Sequence, residues 1–127
     1  MINKLSEQIH ENAKSKGFYD SPKNIGEMLC LIHSEVSEAL EADRKNHFAD
    51  NHFLQEMIAE NYTWEDSSMS FKSCFESTIK NTFEDELADI MIRVMDLAGY
   101  KGIDLEFHIA QKMKYNEQRK HKHGKKY

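Results

Sequence analysis

Apolar residues recur along most of this chain at intervals of three and four, the spacing of a helix rather than a strand. Leu5, Ile9 and Ala13 predict a first helix over residues 2 to about 16, ended by Gly17. Phe18-Tyr19-Asp20-Ser21-Pro22 reads as a turn. Asn24 with Glu27 three residues on forms a capping box. It opens a second helix that runs to about residue 45, with an apolar stripe of Ile25, Met28, Leu29, Ile32, Val36, Ala39 and Leu40. Phe53, Leu54, Met57 and Ile58 suggest a short helix over 53–60. Residues 64–68 read as a loop, and another helix starts near Ser70 with Phe71, Phe75 and Ile79. Thr82 is the expected N-cap of the next helix, with Asp85 at its third position. That helix carries Phe83, Leu87, Ile90, Met91, Val94 and Leu97 on its stripe and is expected to end at Gly99. Asp104 opens a last helix with Leu105, Ile109 and Met113 along one side; beyond Glu117 the chain is too basic and polar to predict helix.

The chain has 127 residues with one proline and five glycines, which fits one domain with few helix breakers. The expected fold is all-α, a bundle of four to five helices. The second and fourth helices carry wide stripes for so small a core, so the bundle is expected to be completed by dimerisation. The net charge is -5, and the tail from Arg119 onward adds five cations with no acid, leaving -10 for the rest. Such an acidic body argues against nucleic acid as a stable partner, since a binder presents a broad basic face. Two cysteines make neither a metal motif nor a disulfide framework, and Cys30, beside the stripe, is expected to be a buried thiol. There is no leader and no apolar run of spanning length, so a cytoplasmic protein without membrane contact is expected. The sequon at Asn61 is then incidental.

Two acidic pairs stand out, Glu35-Val-Ser-Glu38 and Glu86-Leu-Ala-Asp89. Three residues apart on a helix, each pair shares a face. Stepping about 100° per residue, both pairs fall on the same shoulder of their stripes, with the second acid turned further out. Isolated pairs of this kind are common on solvated faces. Two on matched shoulders can bring four carboxylates to one rim when the stripes pack. Four such charges repel unless a cation lies between them, and oxygen ligands suit magnesium or manganese. Lys112, Asn116 and Arg119, at spacings of four and three, share a face of the last helix and suit a polyphosphate; a solvated basic face is the alternative. Glu7-Gln8-Ile9-His10 is the one Glu-x-x-His pattern, where a di-iron bundle needs two. His121 and His123 belong to the basic tail. Phe18, Tyr19, Trp64 and Tyr115 could stack on a base or simply pack. No P-loop, dinucleotide fingerprint, nucleophile elbow or EF-hand loop is present.

Glu35-x-x-Glu38 followed by Glu86-x-x-Asp89 resembles the paired metal motif of the MazG-like, all-α nucleoside triphosphate pyrophosphohydrolases. Ile32-His33-Ser34-Glu35-Val36-Ser37-Glu38-Ala39-Leu40-Glu41 resembles the first motif helix, and Asp85-Glu86-Leu87-Ala88-Asp89-Ile90-Met91-Ile92-Arg93 the second. Lys112-Met113-Lys114-Tyr115-Asn116-Glu117-Gln118-Arg119, continuing to His123-Gly124-Lys125-Lys126, is similar to the substrate-side segment. The likeness covers roughly 1–45 and 82–127. Two departures accompany it. Ser34 stands where many members have a further glutamate, and the 47 residues between Glu38 and Glu86 are long for the family, marking 46–80 as an insertion.

The resemblance implies hydrolysis of a nucleoside triphosphate to monophosphate and pyrophosphate, with magnesium or manganese held by Glu35, Glu38, Glu86 and Asp89. It further implies phosphate contacts from Lys112, Asn116 and Arg119, and a homodimer or dimer of dimers. An acid not fully used as a metal ligand can serve as general base, and Glu38 is the choice. Two alternatives remain: phosphoribosyl-ATP pyrophosphohydrolysis, by relatives in the same superfamily, and a non-catalytic helical interaction module.

Overall fold

The computed structural model describes residues 1–59 and 70–126, and the loop expected over 64–68 lies outside them together with Glu60 and Asn61. The described residues are all-helical with no strand: α1 (Ile2–Ser15), α2 (Ile25–Arg44), α3 (Asn51–Ala59), α4 (Phe71–Thr78), α5 (Phe83–Lys101) and α6 (Leu105–Glu117), then a short 3-10 turn at His121–Gly124. Six α-helices therefore stand where four to five were expected, two of the short ones lying in the 46–80 segment. None of them is long and apolar enough to cross a membrane. The chain divides into two compact units, Ile25–Met91 and Met1–Asn24 with Ile92–Tyr127.

In the unit of Ile25–Met91, α2 closes in a Schellman turn. His47 N–H donates to the Ala42 carbonyl (2.9 Å) and Asn46 N–H to that of Asp43 (2.9 Å), with Asn46 left-handed at φ 52°. Asparagine tolerates that conformation better than other non-glycine residues. The turn delivers His47, whose carbonyl accepts Phe83 N–H (2.9 Å), and Ala49, whose N–H donates to the Glu84 carboxylate (2.8 Å). Phe48 meets Phe83 edge to face at 5.8 Å. The start of α5 is thus bonded to the loop that leaves α2. Thr82 caps α5 as expected: its hydroxyl accepts Asp85 N–H (3.4 Å), and the Asp85 carboxylate returns to Asn81 N–H (2.9 Å). Nearby, α3 packs on α4, which opens in a capping box between Ser70 and Ser73.

The buried line of α2 is displaced from its apolar stripe toward the acidic shoulder. Glu35, Ala39 and Ala42 are buried, whereas Leu29, Val36 and Leu40 are about half exposed (48%, 49% and 50%). Cys30, expected to be buried, is exposed, because its position lies on the side of α2 away from Ala39 and Ala42; the buried thiol is Cys74.

In the other unit α1 packs on α6, and Ser6 donates its hydroxyl to the Met95 carbonyl. The expected end of α5 at Gly99 is corrected. The helix continues to Lys101, and Gly102 takes the left-handed conformation at φ 63° that closes it. Gly99 serves a different purpose: a Cβ there would stand 2.8 Å from His10 Cβ and 3.2 Å from the Ser6 carbonyl oxygen. Only glycine lets α1 come that close. Asp104 caps α6 by accepting Phe107 N–H (2.9 Å).

Candidate metal centre

Glu35 and Glu86 are 6% and 4% exposed, a burial that carboxylates seldom reach without a partner. The two helices present them in matching surroundings. One and five residues after each stands a half-exposed apolar side chain: Val36 and Leu40 after Glu35, Leu87 and Met91 after Glu86. Three residues after each stands a second, less buried acid, Glu38 or Asp89. The shoulder expected from the sequence is therefore present on both helices, with its first acid turned inward.

Three of the four expected ligands converge. One oxygen each from Glu35, Glu86 and Asp89 lies within 4.8 Å of the others. Glu38 is exposed and lies outside this group, yet its charge acts on Glu86. Burial pushes the Glu86 carboxyl up to about 7, and the charges of Glu38, Glu35, Asp85 and Asp89 add to that rise. Asp85, which the sequence marks only as a cap residue, thus contributes to the field at the site.

The donor set fits a hard divalent cation. Magnesium holds oxygens at about 2.1 Å, which spaces ligand atoms about 3 Å apart when adjacent and about 4.2 Å when opposite. A spread of 4.8 Å needs only small side-chain rotations to match. With no nitrogen or sulfur donor in the group, zinc is disfavoured.

The expected phosphate residues belong to the unit that carries α6. Lys112 and Asn116 lie on α6, but the helix ends at Glu117 and Arg119 stands beyond its cap, contrary to the single helical face expected. The reason is local: Gln118 and Arg119 N–H bond back to the Tyr115 and Asn116 carbonyls in a tightening last turn (3.2 and 3.1 Å). Lys112 Nζ lies 5.0 Å and the Arg119 guanidinium 5.8 Å from the centre of the Tyr115 ring. The Asn116 Oδ1 is buried and has no hydrogen-bond partner among the described residues.

A polar cluster that sequence reasoning missed occupies the same unit. Asp96 takes His10 Nδ1 on one oxygen and the Tyr19 hydroxyl on the other, both at 2.8 Å. Tyr19 stacks edge-on against His10 (4.6 Å) and lies beside Tyr100 (5.1 Å). Burial and the Asp96 bond push the Tyr19 phenol upward. The cluster ties the turn after α1 to α5. No sequence signal joined the three: stepping about 100° per residue, Asp96 falls on the side of α5 away from the stripe of Phe83, Leu87 and Val94.

Comparison of the chain with models of known families, with curated proteins and with solved structures gives no match.

Proposed function

We propose that this chain is a divalent-metal-dependent pyrophosphohydrolase that converts a nucleoside triphosphate to its monophosphate and pyrophosphate. One observation carries the reading: Glu35, Glu86 and Asp89 bring oxygens within 4.8 Å of one another, two of them on buried side chains. Burial of like charges at that range is costly unless a proton or a cation joins them, and a divalent cation can bind all three at once. These three residues would hold magnesium or manganese, with Glu38 beside them. The bound cation supplies Lewis acidity and neutralises phosphate charge. Glu38, exposed and outside the close group, is free of the burial that holds Glu35 and Glu86 inward. It acts as general base, taking the proton from water as a new oxygen–phosphorus bond forms and the bond to pyrophosphate breaks. The family resemblance further assigns phosphate contacts to Lys112, Asn116 and Arg119, an assignment that rests on sequence.

The half-exposed Leu29, Val36, Leu40, Leu87 and Met91 favour self-association, as a homodimer or dimer of dimers. The same side chains would serve the rival reading, a non-catalytic helical module.

A screen of common and modified nucleoside triphosphates, with phosphoribosyl-ATP included and pyrophosphate release as the readout, tests the proposal. Magnesium-dependent release supports it and identifies the substrate. Its absence across the panel, with the folded protein confirmed, leaves the interaction module.

A further inference from the structure

We infer that Tyr115 is a positioning residue that holds Lys112 and Arg119 as one unit for a polyanion. The inference rests on the reading above that these cations meet phosphate. Lys112, Tyr115 and Arg119 are spaced three and four residues apart, and the two cations stand 5.0 and 5.8 Å from the same ring centre. Both distances lie inside the range of about 6 Å over which a ring face attracts a cation.

Arg119 has left α6, whose last residue is Glu117, so the helix backbone does not orient its side chain. The ring supplies part of what the helix does not. Lys112 is exposed on a flexible stem, and contact with the ring restricts the arc it can sweep. Two cations gathered on one ring present adjacent charges. A singly charged anion gains little from that arrangement, but a triphosphate can engage both at once. The ring is itself 56% exposed, so it is not needed to fill a core.

The experiment compares Tyr115→Leu, Tyr115→Phe and Lys112→Ala in the full chain. Equilibrium binding of inorganic tripolyphosphate is measured by calorimetry, and KM and kcat are measured with the best nucleotide substrate. Tyr115→Leu should weaken tripolyphosphate binding about fivefold, the scale of losing two cation–ring contacts near the surface, and its loss should fall on KM rather than kcat. Tyr115→Phe should restore binding, because the ring is kept and only the hydroxyl is gone. Orthophosphate binding should barely distinguish Tyr115→Leu from wild type. If Lys112→Ala weakens binding and Tyr115→Leu does not, the inference falls while the phosphate reading stands. If Tyr115→Phe is as weak as Tyr115→Leu, the hydroxyl and not the ring is responsible, and the inference again falls. If Lys112→Ala also binds like wild type, both fall.

Discussion

Asn3 and Glu106 cap each other's helices. The Asn3 side-chain oxygen accepts Glu106 N–H in the first turn of α6 (3.1 Å), while the Glu106 carboxylate accepts Asn3 N–H in the first turn of α1 (3.3 Å). Asn3 also donates its amide to Asp104, the N-cap of α6 (2.7 Å). Each helix start thus satisfies orphan N–H groups of the other. Asn3→Ala should lower stability by about 1 kcal/mol, as loss of a cap does. Urea denaturation checks it. Magnesium affinity should not change, because Asn3 lies in a different unit from Glu35, Glu86 and Asp89.

Glu86 gives a pH dependence of unusual sign. In the metal-free protein it holds its proton to about 7, against an ordinary value of 4.5. Between those values the native state binds more protons than the unfolded chain, so stability falls as pH rises and levels off above about 7. Glu86→Gln should therefore be more stable than wild type at alkaline pH without metal, by an amount on the order of a few kcal/mol. Magnesium should reverse the order, because it stabilises only the protein that can bind it. Denaturation at several pH values, with and without magnesium, checks both halves. Magnesium affinity should also rise with pH through the same window, since binding expels the Glu86 proton.

Catalysis and phosphate binding should fail separately. Glu38→Gln should lower kcat by a factor of roughly 100 or more, the scale of a lost general base, with little change in KM. Lys112→Ala should mainly raise KM, by the equivalent of roughly 1.5–3 kcal/mol for a hydrogen bond to a charged group. Arg119→Lys should fall between wild type and Lys112→Ala, because charge survives but the planar fork does not. Steady-state kinetics on the three variants decides the assignment.

The half-exposed strips should be an interface. Val36→Glu with Leu87→Glu should convert a homodimer to monomer in sedimentation at micromolar concentration. Helix content should be retained, because neither side chain is in the core. A wild-type chain already monomeric under those conditions would remove the interface.

What the sequence made legible was mostly local. Thr82 and Asp104 could be read as caps because a cap depends on residues within one turn of it. Gly99 was read as a helix stop by the same local logic and was misread, since its reason is His10, far away in the chain. The stripe on α2 was visible, but a stripe over 100° wide holds both a core line and a flank. Nothing in the spacing says that Ala39 lies in the first and Val36 in the second. The acidic centre was legible because the same offsets occur on two helices. The convergence of Tyr19 and His10 on Asp96 was not, because it joins three distant segments with no shared period.

The contrast between exposed Cys30 and Cys74, which is 1% exposed, gives the 46–80 segment a clock of its own. A thiol reagent should modify the first at once and the second only when α4 comes away from its neighbours. The slow phase then measures the free energy of the opening that uncovers Cys74 on α4. Its change on adding magnesium or nucleotide would show whether the segment is a passive buttress or is drawn tight by what the carboxylates hold.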